Sequence, residues 1–327
     1  MRLRFLQSLW LVAALLLAGP PAWAGAVLTS GNVLLGVDDF GQLIIFDGRR
    51  SDFVGVTFVG VGDALVPGCF CEGWGVSGNG QVGMVSNNSF TFTIPNFNVT
   101  LVSFSSTPTT AISVTQLTSL PDLEITHAYG PSISPALFQG VVTIRNNSST
   151  TITDVRYTRA LDWDVPPTPF SEFVTIQRGG STALLFSNDN GFADPDPLVN
   201  PPDVVFGTSN TDFVDSGRAD HGAFFTFGFG DLAPFSSISF NIFYGAAADE
   251  ASALAALAAV GAQVYTLGQQ FGDPTGGTPA TFIFAFSQGG VDPIPEPASV
   301  VLFASVAALV AWRLRSQKRT SPPARIA

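Results

Sequence analysis

The chain has 327 residues, 46% of them hydrophobic and 12% charged, so it can bury a sizeable core and is not a disordered acidic polymer. Its 14 basic and 25 acidic residues are sorted along the chain. All the acids fall between Asp38 and Glu296, accompanied there by only seven arginines, and the sole lysine is Lys318. A body with no clustered positive charge is poorly equipped to neutralise phosphates, which argues against a nucleic-acid partner.

Residues 1–24 have the form of a secretory signal peptide. Arg2 and Arg4 supply a positive start, residues 9–18 an apolar run, Gly19-Pro20-Pro21 a break and Ala22-Trp23-Ala24 a small-x-small cleavage pattern. The apolar run is short for a membrane span. The expected partner here is signal peptidase, with a mature chain starting at Gly25 outside the cytoplasm.

From Gly25 the chain becomes a series of short apolar, β-branched and aromatic runs punctuated by Gly, Pro, Asn, Asp and Ser. Strands are expected at 33–37, 42–46, 54–59, 90–94, 98–104, 111–118, 123–128, 138–145, 153–164, 172–177, 182–186, 223–229, 237–244 and 281–286. Many short strands without strand–helix alternation indicate an all-β fold, a large antiparallel β-sandwich spanning 25–290 as one domain. In the 153–164 strand Val155, Tyr157, Leu161, Trp163 and Val165 share one face. Asp154, Arg156, Thr158, Asp162 and Asp164 share the other. Arg159 falls on the apolar face and needs a buried carboxylate partner. One short Ala-rich helix is expected at 246–262, with Leu254, Leu257 and Ala258 at helical spacing and Asp249 and Glu250 in its first turn. Residues 189–203, rich in proline, form the longest expected loop.

Candidate sites within the body are few. Cys69 and Cys71 are the only cysteines. An extended Cys-x-Cys sits near the limit of disulfide reach and a turn after Pro67-Gly68 relaxes it, so a local disulfide and free thiols both remain open. Asp162 and Asp164, about 7 Å apart on one strand face, suit a calcium site, a pair of glycosidase carboxylates or a polar strand end. Asp189, Asp194 and Asp196 form a second oxygen-rich group that could hold calcium, though without the pattern of an EF-hand. The two histidines, His127 and His221, lie on separate segments with no nucleophile elbow nearby and are expected to be structural. Gly78 to Gly83 matches the dinucleotide fingerprint by letters only, because it opens no helix in a βαβ unit.

The C-terminus, 291–327, reads in three parts. Pro295-Glu296-Pro297 is followed by an uncharged run, 298–312, and then by Arg313, Arg315, Lys318, Arg319 and Arg325. The acidic entrance and basic exit orient a short transmembrane helix with its tail in the cytoplasm and the body outside. This arrangement resembles the PEP-CTERM sorting signal of Gram-negative, exopolysaccharide-producing bacteria. The resemblance implies recognition of the Pro-Glu-Pro motif by an exosortase in the inner membrane. The body would be held in the periplasm, then released or transferred to the cell surface as the tail is removed. Three body segments also resemble uncharacterised ectodomains that precede this signal: 66–75, the stretch from Leu161-Asp162-Trp163-Asp164 to Phe173-Val174-Thr175-Ile176-Gln177, and 220–225.

The expected function is that of an exported, non-enzymatic cell-surface or extracellular-matrix protein, in possible contact with exopolysaccharide. The alternative is a carbohydrate-binding module or carbohydrate-active enzyme. For that, Trp74 or Trp163 would stand exposed beside Asp162 and Asp164.

Overall fold

Period-two alternation puts one set of side chains on each face of a strand, so a chain of such strands must lay sheet on sheet to bury the apolar set. The computed structural model describes residues 25–86, 96–272 and 279–288. Strands β1 (Ala26–Ser30), β2 (Val33–Val37), β5 (Val56–Phe58) and β6 (Gly62–Asp63) make a four-stranded sheet, while β3 (Ile45–Asp47) and β4 (Asp52–Val54) pair as a small hairpin. β7 (Glu72–Gly78), β8 (Gln81–Ser86) and β9 (Asn96–Phe97) enter a six-stranded sheet. β10 (Val99–Ser106), β11 (Ala111–Leu117), β12 (Leu123–Pro131) and β13 (Leu137–Asn146) follow as a meander in a nine-stranded sheet. The chain then shuttles between the two. β14 (Ile152–Asp162), β16 (Leu184–Asn188) and β18 (Gly222–Leu232) join the six-stranded sheet; β15 (Glu172–Gln177), β17 (Phe213–Ala219) and β19 (Ser237–Ala247) join the nine-stranded one. After helix α1 (Glu250–Ala259), β20 (Val264–Gln269) and β21 (Thr281–Ser287) complete the larger sheet. Its order is β10-β11-β12-β13-β19-β21-β20-β15-β17, and the smaller reads β16-β18-β14-β7-β8-β9.

The two sheets face each other across an aromatic core, as expected for a sandwich. Phe227 stacks on Phe286 with ring centroids 3.9 Å apart, Tyr157 meets Phe240 at 5.1 Å and Phe225 meets Phe284 at 5.7 Å. Each pair joins a strand of one sheet to a strand of the other. Burial of each ring contributes about 1.5–3 kcal/mol. Leu28, Val33, Leu35, Val37 and Val56 of the four-stranded sheet belong to the same core.

Each outer face is covered in part. On the nine-stranded sheet Ala253, Ala256 and Leu257 of α1 pack with Phe243, Leu267, Ile283 and Ala285. The helix is shorter than the 246–262 expected, because Ala246 and Ala247 continue β19 and pair with Phe282 and Thr281. Asp249 is its N-cap, accepting the Ser252 amide at 2.7 Å, and Leu254 points to solvent. On the six-stranded sheet lies the proline-rich loop. A Cβ on Gly75 of β7 would stand 1.9 Å from the Pro195 carbonyl oxygen, so only glycine lets the loop approach so closely.

A polar network threads the middle of the core. Arg159 Nε donates to Glu72 Oε1 at 2.6 Å, both side chains being fully buried, so the partner required by the strand pattern is Glu72 of neighbouring β7. Glu72 Oε1 also accepts from Tyr244 Oη at 3.0 Å, and its other oxygen accepts the Leu43 amide at 2.7 Å. Arg159 Nη1 reaches Tyr157 Oη at 3.1 Å, and His127 Nε2 lies 3.0 Å from the same hydroxyl. Tyr129 Oη donates to Gly41 O at 2.8 Å and Trp74 Nε1 to Phe40 O at 3.0 Å, so the segment between β2 and β3 is tied into the sandwich.

Several strand expectations are corrected. The 42–46 strand contracts to β3, with Leu43 joined to Val37 by a single bridge, and 54–59 divides into β4 and β5. The 153–164 strand ends at Asp162, and a register slip between Ile152 and Val155 leaves Asp154 in the left-handed region with φ 49°. β1, β7, β8, β17 and β20 were not expected. β10 slips register between Leu101 and Ser103, and β17 slips twice against β15. The signal peptide at 1–24, the strand at 90–94, Pro295, Glu296, Pro297, the 298–312 helix, Arg313 and Arg315 lie outside the described residues. Among the described residues no helix is long and apolar enough to cross a membrane.

Removing either partner of a buried ion pair strands the other charge. Glu72→Gln and Arg159→Met are each expected to cost about 3–5 kcal/mol in chemical denaturation, and the double variant less than their sum. Additive losses would show that the two side chains do not act as a pair.

Candidate metal centre

Two connections cross between the sheets at one end of the sandwich. Residues 163–171 carry the chain from β14 to β15, and Asp220-His221 carries it from β17 to β18. Asp162 pairs with Gly222, and Glu172 pairs with Ala219, so the acids flanking both crossings are drawn together. Oxygen atoms of Asp162, Asp164 and Asp220 all lie within 4.8 Å of one another. Asp164 and Glu172 are fully buried, Asp162 is 2% exposed and Asp220 reaches the surface.

β14 does end at Asp162, as a polar strand end requires, but both carboxyls are buried. The segment before β7 lies against them. The Asp162 amide donates to Cys71 O and the Asp164 amide to Ala64 O, each at 2.8 Å. Cys69 and Cys71 form a disulfide, with Cα atoms 5.1 Å apart, and Cys69 Sγ lies 3.8 Å from Asp162 Oδ2. Gly68, at φ 79°, passes so close that a Cβ there would stand 3.0 Å from Asp164 Oδ2. The pattern around Pro67-Gly68 signalled the turn; nothing in it signalled that the turn would cover two acids.

The carboxyls have few partners. Neither oxygen of Asp164 or Glu172 makes a hydrogen bond of ordinary geometry, nor does Asp162 Oδ1, although the Phe170 amide lies near Asp164 and the Ser171 and Glu172 amides near the Glu172 carboxyl. Burial raises the Asp162 pKa well above the carboxylate range, with Asp164, Asp220 and Glu172 adding to the shift. Burial and then Asp220 push Asp164 up to about 7, with the Phe170 amide pulling the other way. Glu172 is pushed up to about 8, chiefly by burial, with the Ser171 and Glu172 amides pulling the other way and Asp164 and Asp220 adding to the rise. Burial also raises Asp220, against the opposing pull of His221. Such a set either holds protons or holds a cation. Sequence reasoning found Asp162 and Asp164 but missed Asp220 and Glu172, which are distant in the chain.

Asp189, Asp194 and Asp196 are not gathered in this way, and the calcium expectation there is corrected. Asp189 Oδ1 accepts the Val204 amide and the Thr208 hydroxyl; Oδ2 accepts the Val205 amide and faces His221 Nδ1 at 2.9 Å. Its oxygens are occupied in fastening the proline-rich loop to the β17–β18 turn. His221 Nε2 faces Ser216 O at 3.1 Å, so both ring nitrogens are engaged. His127 is buried in the central network, and burial together with Arg159 lowers its pKa well below the ordinary value.

Trp74 and Trp163 are both fully buried between the sheets, Trp163 Nε1 donating to Thr266 Oγ1 at 3.2 Å. Neither is available to stack on a sugar. A cleft of about 560 Å³ lies elsewhere, lined by β1 and β3 together with Arg49, Arg50 and Pro108.

No family model matches the chain, and no curated protein matches it. Among solved structures it is similar to a galactose mutarotase-like protein from Lactobacillus casei ATCC 334. Identity is 8%, coverage 80% of this chain and 87% of that one, and the TM-score 0.30. A likeness this loose bears on neither the site nor its chemistry.

The Asp189 clasp has a pH signature. Burial alone would raise this carboxyl, but the bonds from His221, Thr208, Val205 and Val204 outweigh it and hold the pKa below its ordinary value. A carboxyl depressed in the folded state stabilises fully above its unfolded pKa of about 4, and that stabilisation is lost as pH falls through the folded value. Asp189→Asn is therefore expected to be less stable than the parent by about 1–3 kcal/mol near neutrality. In urea unfolding at about pH 6 and about pH 3 the gap narrows at the lower pH. A gap that widens on acidification contradicts the assignment.

Proposed function

We propose that this protein is an exported, non-enzymatic component of the cell surface or extracellular matrix, delivered by exosortase processing. The observation that carries the reading is the C-terminal order of Pro295-Glu296-Pro297, an uncharged run and an arginine-rich end, paired with a signal-peptide pattern at the other terminus. In this reading the body faces the periplasm while the 298–312 helix holds it in the inner membrane. Removal of the tail then frees the sandwich for the cell surface or the extracellular space, where exopolysaccharide is the expected neighbour.

The interior of the sandwich supports a non-enzymatic body. The central His127, Arg159, Glu72, Tyr157 and Tyr129 side chains spend their hydrogen bonds on one another and on the 40–43 backbone, away from solvent. The alternative of a carbohydrate-active protein is weakened at the point where it was most specific, because both tryptophans offered for sugar stacking are buried.

Intact-mass measurement on the protein from strains with and without exosortase tests the proposal. The expected result is a secreted form lacking residues from the Pro-Glu-Pro region onward in the first strain, and a membrane-retained form with the tail intact in the second. The same full-length, membrane-retained product in both would overturn it.

A further inference from the structure

We propose that Asp162, Asp164 and Asp220, backed by Glu172, bind one calcium ion at the end of the sandwich where the chain crosses between its sheets. Three clustered acids alone would not support this, since acids gather on many surfaces. Glu172 supplies the independent observation. It comes from the other sheet, pairs with Ala219 beside Asp220, is fully buried, and has no hydrogen bond of ordinary geometry on either oxygen, only the Ser171 and Glu172 amides lying near. Asp164 is equally buried and equally unpartnered. Among the described residues no arginine forms an ion pair with any of the four; the three ion pairs present use Asp154, Glu72 and Asp189. Buried carboxylates without donors are strongly disfavoured, and a cation of matching chemistry removes the imbalance.

The donor set selects the cation. Every available ligand atom is a carboxylate oxygen. His221 has both nitrogens engaged, and the sulfurs of Cys69 and Cys71 are bonded to each other, so zinc and other nitrogen- or sulfur-seeking metals find nothing to hold them. Oxygens from separate backbone segments, up to 4.8 Å apart, suit the adaptable six-to-eight-oxygen shell of calcium. Magnesium demands a near-ideal octahedron and keeps much of its water. Bound there, the ion would fasten the end of β14 and the 163–171 crossing to the β17–β18 turn.

The test uses the full-length chain, stripped with a chelator and titrated calorimetrically with calcium chloride and, separately, magnesium chloride. One calcium per chain is expected, with a melting temperature that climbs with calcium concentration by mass action and a much weaker response to magnesium. Asp220→Asn, chosen because Asp220 reaches the surface and its loss leaves the core filled, is expected to weaken calcium binding by about tenfold or more, and Asp164→Asn similarly. Unaltered calcium affinity in both variants overturns the site. So does the absence of any calcium heat or thermal shift in the parent, combined with Asp164→Asn and Glu172→Gln variants that melt higher than it with or without calcium. That pattern would mean the carboxyls hold protons instead.

Discussion

The buried pair of Glu72 and Arg159 is the constraint around which the sandwich is arranged. A guanidinium between two sheets is tolerable only if most of its N–H donors find acceptors; here Nε and Nη1 do and Nη2 does not, and that requirement reaches far along the chain. It recruits Glu72 from the adjacent strand, Tyr157 from its own, and Tyr244 from the opposite sheet. Through the second oxygen of Glu72 it fixes the Leu43 amide, and through the neighbouring Trp74 and Tyr129 the carbonyls of Phe40 and Gly41. Large aromatic side chains could fill this space in many registers. A charged group with directional bonds accepts far fewer.

Charge is handled in opposite ways at two places in the molecule. At the centre one positive side chain is surrounded by acceptors and an acid, and the account is nearly balanced within the protein. At the end where the chain crosses between sheets, Asp162, Asp164 and Asp220 converge with Glu172 behind them and no arginine ion pair among the described residues. The crossings explain why. β14 to β15 and β17 to β18 change sheets at the same end, so the residues at their corners meet regardless of their separation in sequence. The disulfide turn at Cys69 and Cys71 then closes over two of them.

Much of the architecture was legible in the sequence, and the gaps have physical causes. Strands such as β2, β11 and β15 stood out because their residues carry intrinsic strand preference. β7 did not, since Gly73, Gly75 and Gly78 suppress that preference; at Gly75 the missing side chain makes room for Pro195. The Asn79-Gly80 turn between β7 and β8 is the one local hairpin signal that the pair carries. Arg159 on an apolar face announced a buried partner because an unpaired charge there is so costly, but which acid it would be depended on strand order. For the same reason Asp162 and Asp164 were visible as a local pair, whereas Asp220 and Glu172 required the topology. The buried tryptophans followed from alternation at Trp163, and their interior placement separates them from surface chemistry.

The register slips in β10 and β17 have a bearing on how this protein meets its neighbours. These are the terminal strands of the nine-stranded sheet among the described residues, so one side of each is unpaired within that sheet. A regular, flat edge invites growth by strand addition, while a kinked one breaks the ladder after a few rungs. Crowding many copies together would thus bring side-chain surfaces into contact before it brought backbones into continuous sheets.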